Sequence, residues 1–353
     1  MSVSLVVLLP ILLLGIVSVF CFVGCVLQTH GIPFTEYSNL TVLGDPAIAA
    51  YWPLDEAMGS LVAHEHVTNF PNSPLNGKYV DPDNAPLPPP TPGTVYPWPE
   101  VPVPNPPGPD ALSAAAPGVL NLGQPGLVTG DAKQPGNDPT VLTTCMMVNG
   151  GYVQVPFDPK WNPSSFTVEA WVQVGWQASD KMAWRAVLDG RAQDPTGGKG
   201  FAIIAKVNDD QSGYHWAVIV GNGTTTSTGF SFLPNTDAAP LITLLNPNPP
   251  PETPPAAPVY LAVTYDAVSM TLTLFVDGEL SAQQKPQPFV ANTSSPLYIG
   301  AGVPYSPNRQ TALSTSGGPL FPFNGLIQDV AIYNAALSTT DIQDHFKNGR
   351  ANL

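Results

Sequence analysis

"FNGLIQDVAIYNAALSTTDIQDHFKNG", residues 323–349, stands close to the end of the 353-residue chain. Leu326 to Tyr333 reads as a strand, the next few residues as a polar break, and the last dozen as one or two amphipathic helical turns. Upstream of it the chain is a succession of short apolar runs and proline loops. A closing strand with one short helix behind it is therefore the feature that any fold for this chain has to accommodate.

Working back from that stretch, the alternation of a half-buried sheet recurs. "FTVEAWVQV" (166–174) puts Phe166, Val168, Ala170, Val172 and Val174 on one face and Thr167, Glu169, Trp171 and Gln173 on the other. "GYVQVPF", "FAIIAKV", "HWAVIVG", "VYLAVTYD", "MTLTLFVDG" and "PLYIGAG" repeat the theme, with turn signals at Asp266–Ser269 and Asp277–Gly278. Leu272, Leu274 and Val276 are expected to face Val168, Ala170 and Val172 across the core. Forty-three prolines and only 11% charged residues exclude long helical arrays, since each interior proline costs a helix about 3 kcal/mol. The pattern predicts an all-β, two-sheet antiparallel sandwich. A formal charge of −14 repels phosphate backbones, so nucleic acid is excluded as a partner class.

Several of these segments together resemble a known family. "AAYWPLDE" (49–56), "GGYVQVP" (150–156), "FTVEAWVQV", "VYLAVTYDAVSMTLTLFVDGEL" (259–280), "LYIGAG" (297–302) and the closing stretch at 323–349 match, in order, the strands of the laminin-G-like jelly roll, the concanavalin A-like lectin/glucanase sandwich. The resemblance implies that the last strand pairs beside the first and that the short helix closes the sandwich edge. It also implies a structural Ca²⁺ between the first and last strands, for which Asp55 and Asp329 are the matching positions. Gln328 stands where the family carries a further acid. The paired carboxylates of the related glucanases have no counterpart: Glu169 stands alone, and Glu279 lies at a hairpin turn. The chain is accordingly expected to be no enzyme and to need no cofactor beyond that Ca²⁺.

Other motifs carry less. His64 and His66 in "AHEHV" lack a third metal ligand in the sequence. "PTGGKG" (195–200) lacks the helix and hydroxyl of a phosphate loop. Cys145 reads as a buried, inert thiol, and the seven tryptophans as packing or as the lining of a sugar cleft.

At the other end, residues 3–27 form an uncharged apolar run, and no Lys or Arg precedes Lys78. About 20 apolar residues span a bilayer, whereas a signal peptide has a basic start and a shorter apolar core. The run reads as a single-pass anchor with Pro10 as a modest kink and with Gly15, Ser18 and Gly24 as small residues suited to helix packing in lipid. "FVGC" (22–25) also resembles a lipobox, in which Cys25 would be acylated after cleavage, and that alternative stays open. The bulk of the chain is expected on the periplasmic or extracellular side. The organisation expected is an anchor over 1–30, a tether over 31–44 and one sandwich over 45–353, with proline-rich insertions at about 82–140 and 233–258.

Two functions are compatible with these features. The first is a non-catalytic accessory subunit of a larger membrane complex, such as a photosynthetic or respiratory one. It would contact other subunits through its helix and its exposed sandwich, with the stiff proline-rich stretches 82–109 and 246–258 as further contacts. The second is a surface carbohydrate-binding or adhesion module, and a glycan-active enzyme is a distant third. The anchor is tested by intact mass of the native protein: the expected value is the full chain, give or take Met1, and a mass starting at Cys25 plus lipid would establish the lipobox instead.

Overall fold

The computed structural model describes residues 37–68, 72–80, 119–128, 144–175, 184–194, 197–207, 214–224, 230–234, 257–303 and 321–350. In chain order the strands are β1 (Ile48–Trp52), β2 (Val62–Ala63), β3 (Gly77–Val80), β4 (Val119–Pro125), β5 (Thr144–Asn149) and β6 (Tyr152–Val155). Then come β7 (Phe166–Val174), β8 (Trp184–Asp189), β9 (Ala192–Asp194), β10 (Gly197–Lys199), β11 (Phe201–Val207) and β12 (Tyr214–Gly221). The last six are β13 (Phe230–Pro234), β14 (Val259–Asp266), β15 (Thr271–Val276), β16 (Glu279–Gln284), β17 (Leu297–Ile299) and β18 (Asn324–Tyr333). One α-helix, α1 (Thr339–Gly349), comes after β18, and a π-helical turn, Tyr37–Val42, precedes β1.

The strands form two antiparallel sheets. Sheet A runs β16-β15-β14-β7-β18-β5-β4, with β1 also paired to β18, and sheet B runs β13-β12-β11-β8-β17-β6-β3-β2. A small β9–β10 ribbon stands beside them. The sandwich expected from the alternation is therefore present, and the first strand does pair with the last: Tyr51 opposes Ala331 and Trp52 opposes Val330.

Between the sheets the core is made by the predicted face of β7. Phe166, Val168, Ala170 and Val172 are all fully buried. Phe166 stacks on Phe201 of sheet B with ring centroids 4.8 Å apart. Leu272 and Leu274 belong to the same core, but they line the same side of sheet A two strands away rather than facing β7. Each such side chain contributes about 1.5–3 kcal/mol by leaving water.

The other face of β7 was expected to differ, and it does not: Thr167, Glu169 and Trp171 are fully buried too. The cover is α1. Ile342, His345, Phe346 and Gly349 recur at helical spacing and turn one side of the helix onto sheet A. Ser338 opens the helix with a capping box: its hydroxyl accepts from the Asp341 N–H at 3.2 Å while Asp341 Oδ2 accepts from the Ser338 N–H at 3.0 Å. Gly349 is required by contact, because a Cβ there would come within 2.3 Å of the Trp171 ring. The short helix thus lies on the face of the sheet and not on its edge, because Trp171, Tyr260 and Tyr333 are too apolar to be left to water.

Two boundaries also shift. Residues 37–42, read from the sequence as part of a tether, form the π-helical turn and bury Tyr37 and Val42 beside α1. Residues 119–125, read as part of an insertion, are β4, paired to β5 from Val119 opposite Asn149 to Pro125 opposite Thr144. The anchor, with Pro10, Gly15, Ser18, Gly24 and Cys25, lies outside the described residues. So do the stretches 82–109 and 246–256. Among the described residues no helix is long and apolar enough to cross a membrane.

The packing makes a specific demand. Leu274→Ala, which empties a fully buried site in the core, is expected to lower unfolding free energy by about 2–5 kcal/mol. Val268→Ala, at a hairpin tip where the side chain is 95% exposed, is expected to stay within about 0.5 kcal/mol of the parent. Denaturant unfolding of both variants checks the contrast.

Candidate functional site

The outer face of sheet B carries one cross-strand row that the pairings define residue by residue. Lys78 opposes Gln154, Gln154 opposes Tyr298, and Tyr298 opposes Asp189. Asp189 opposes Ala202, Ala202 opposes Ile219, and Ile219 opposes Phe232. Period-two alternation puts all seven on one side, since Val153, Val155, Leu188 and Ile203 between them point into the core. The β8–β13 half of this face is closed: Ala186, Ala202, Ile204, Ala217 and Ile219 are buried. The β3–β6–β17 half is open, with Lys78 exposed and Gln154 and Tyr298 partly so. Tyr152, on the same face, meets Tyr298 edge-on with centroids 5.8 Å apart.

At the boundary between the two halves sits a buried ion pair. Arg191 donates from Nε to Asp189 Oδ1 at 3.0 Å and from Nη2 to Oδ2 at 2.6 Å, with both side chains at 2% exposure or less. Asp189 also accepts from the Arg191 N–H at 2.9 Å and the Val303 N–H at 2.8 Å, and Arg191 Nη2 donates to the Val303 carbonyl at 2.8 Å. The guanidinium lies over Phe230, 5.4 Å from the ring centre, and its Nη1 finds no acceptor among the described residues. Burial, and then the Asp189 charge, raises the Tyr298 pKa, so its hydroxyl is protonated and can donate. Burial raises that of Tyr152 in the same way, with Tyr298 second.

A second polar centre lies on the opposite side of the molecule. Glu169, in the middle of β7, has Ala262 on one flank and Ala331 on the other. These small neighbours leave a well in the face of sheet A. Tyr260 and Tyr333 each donate a hydroxyl to Glu169 in short hydrogen bonds, and Tyr37 donates at 3.4 Å. His345 Nδ1 is 3.0 Å from Glu169 Oε2.

The two acids matched to a Ca²⁺ site end up in different surroundings. Asp55 is exposed in the loop after β1, whereas Asp329 is buried. Asp329 marks the point on β18 where the partner changes from β5 to β1: its φ is +52°, its N–H donates to the Pro53 carbonyl at 3.0 Å, and its carboxylate accepts the Tyr51 hydroxyl. Gln328, in the place of the family's further acid, accepts from the Leu127 N–H at 2.6 Å. Ca²⁺ takes six to eight oxygens; among the described residues no three His, Cys, Asp or Glu side chains gather so that they could hold a metal ion. His64 and His66 flank Glu65, whose buried carboxylate is occupied by the N–H groups of Val67 and Thr68 and the hydroxyl of Ser73. Cys145 is buried, and burial followed by the Asp329 charge holds its thiol protonated.

Sequence reading passed over the Asp189–Arg191 pair and the Tyr152–Tyr298 pair. The first had a local signal, an acid and an arginine two residues apart across Gly190 next to an apolar run. The second had none, since the two tyrosines are 146 positions apart.

Residues 148–343, more than half of the chain, match the Laminin G 3 model. The chain belongs to the concanavalin A-like lectin/glucanases superfamily. No curated protein matches it. Among solved structures, this lectin/glucanase-type sandwich is similar to the CBM40 of the Ruminococcus gnavus IT-sialidase bound to alpha2,3 sialyllactose: 15% identity, TM-score 0.34, covering 52% of this chain and 83% of that one. It is similar also to domain 4 of AbnA, a GH43 extracellular arabinanase from Geobacillus stearothermophilus, in complex with arabinotriose: 14% identity, TM-score 0.37, 65% and 88%. A third is the SAP-like pentraxin of Limulus polyphemus, at 10% identity, TM-score 0.33, 54% and 70%.

The ion pair yields a test of the site's construction. Asp189→Asn leaves a buried guanidinium without its counter-charge and is expected to cost about 3–5 kcal/mol in unfolding free energy. Asp189→Leu combined with Arg191→Met removes both charges and is expected to cost less than the single change, as read by denaturant titration.

Proposed function

We propose that this protein is a non-catalytic carbohydrate-binding or adhesion module, held at a membrane surface by residues 3–27, which takes a glycan on the open half of the outer face of sheet B. The observation that carries the reading is the open row Lys78–Gln154–Tyr298, with Tyr152 edge-on beside Tyr298 and the buried Asp189–Arg191 pair backing it at the boundary. A sugar presents a C–H face that packs on aromatic rings and hydroxyls that pair with amides and phenols. A ligand site of that kind needs apolar bodies with a few oriented polar groups, and tyrosine supplies both. Because the fold hosts many functions, the reading rests on these side chains and not on the sandwich.

The non-catalytic part of the proposal rests on the surroundings of Glu169. A glycosidase needs two carboxyl groups flanking an open cleft. The neighbours of Glu169 are three phenols and the imidazole of His345 on α1, and the carboxylate is fully buried. Calcium has no part in the proposal. The accessory-subunit reading draws on residues 3–27, 82–109 and 246–258, and no contact of the described sandwich favours it over glycan binding.

A glycan array with the full chain in mild detergent is the test, followed by calorimetry with Tyr298→Ala. Binding to at least one glycan class is expected, with affinity falling about 10–30-fold in the variant, as for a central contact residue. A blank array, or a Tyr298→Ala variant that binds as the parent does, would overturn the reading.

A further inference from the structure

We propose that Glu169 and His345 form a proton-controlled clasp that fastens both ends of the domain, α1 and the turn at Tyr37–Val42, to one point on sheet A. This inference is independent of glycan binding, because the clasp lies on the opposite sheet.

The geometry assigns the role. Glu169 comes from β7 and is fully buried. Every group that compensates it arrives from a different element: Tyr260 from β14, Tyr333 from β18, Tyr37 from the π-helical turn and His345 from α1. The last two belong to helical segments that are outside the ladders of both sheets. The turn and the helix also touch each other, with Asn348 Nδ2 donating to Thr41 Oγ1 at 3.1 Å. Removing either segment from the sheet would strand a buried carboxylate short of its donors, so the two are held together. Tyr37 comes ten positions after Leu27, the last residue of the apolar run, so the clasp lies where that part of the chain joins the sandwich.

The groups around His345 set its response to pH. Facing it are Glu169 from β7, Tyr333 from β18, Asp45 from the turn before β1 and Asp341 from its own helix. Asp344 and Lys347 pair with each other at 3.5 Å on the solvent side of α1. Burial disfavours charge on His345, but the attraction and hydrogen bond of Glu169, helped by Asp45 and Asp341, outweigh it and raise the histidine above its ordinary 6.5. Burial likewise opposes ionisation of Glu169, and the histidine and two tyrosine hydroxyls overcome it, leaving the carboxyl below its ordinary 4.5. A raised histidine contributes stability that is fully present below pH 6.5 and is lost as pH rises through its folded value. A lowered carboxyl contributes stability that is present above pH 4.5 and is lost as pH falls through its own. The clasp is therefore tightest in mildly acidic solution and loosens toward alkaline pH.

The experiment uses the full chain in mild detergent, with two readouts. Nuclear magnetic resonance tracks the His345 imidazole, and hydrogen exchange tracks protection factors in α1 and in residues 37–42 across the same pH range. His345 is expected to titrate above 6.5, and both segments to lose protection together through that titration, by about tenfold for each unit of the pKa rise. The β11 amides, in the other sheet, are expected to hold constant. In Glu169→Gln the histidine should titrate lower than in the parent, since burial is then opposed only by the more distant charges of Asp45 and Asp341. If that variant fails to fold, His345→Gln keeps a donor without a titrating group, and its α1 protection should be flat with pH. A native His345 titrating at or below 6.5, or α1 protection with the same pH step in His345→Gln, would overturn the proposal.

Discussion

A carboxylate buried at the centre of sheet A constrains most of what surrounds it. Glu169 has no access to water, and an ionised carboxyl in that position is tolerated only with donors on several sides. Its flanking residues on β14 and β18 are alanines, which leaves room, and the donors come from outside the sheet as well as from its neighbouring strands. That requirement draws α1 down across Trp171 and Tyr260 and holds the first described residues of the chain beside it. An apolar residue at position 169 would let the same helix pack by contact area alone, without fixing which turn of it meets which strand. The ion pair is thus better understood as a register device than as a large net source of stability, since desolvation offsets much of its attraction.

The two sheets have been put to different uses as a result. The outer face of sheet A is covered by α1 and the turn at Tyr37–Val42, so it has become a second core. The outer face of sheet B is covered over one half only, and the open half carries Gln154, Tyr298 and Lys78. Asp189 and Arg191 stand at the line between the halves, each fixing the other and both tied to Val303. The pair is buried, so what it fixes is the Val303 backbone at the edge of the open half. The asymmetry between the sheets, and not the sandwich itself, is what leaves one outer face partly open and the other covered.

β18 joins these two arrangements. Its N-terminal half pairs with β5 and its C-terminal half with β1, and the change of partner occurs at Asp329 in a left-handed conformation. Tyr51 and the Pro53 carbonyl occupy the groups that the break in the ladder would otherwise leave bare. An aspartate tolerates that backbone better than most residues, and here its side chain is engaged as a strand-junction acceptor.

The alternation in 166–174, the turns at Asp266–Ser269 and Asp277–Gly278, and the strand-then-helix ending at 323–349 are local signals. Strand phase and hairpin ends depend on neighbours two to four positions away, so these were legible. The capping box of Ser338 and Asp341 was equally available for the same reason. The clasp at Glu169 was not: its partners lie 91, 132, 164 and 176 positions away, and no local pattern tells which tyrosines will meet it. The row from Lys78 to Phe232 likewise exists only because seven strands have been laid side by side in a definite register. What the amino-acid sequence determined by itself was the phase of the central strands, β7, β14 and β15 among them, and which side of each would seek the core. Only the tertiary structure decided what covers the other side, because that depends on where α1 and the turn at Tyr37–Val42 come to rest.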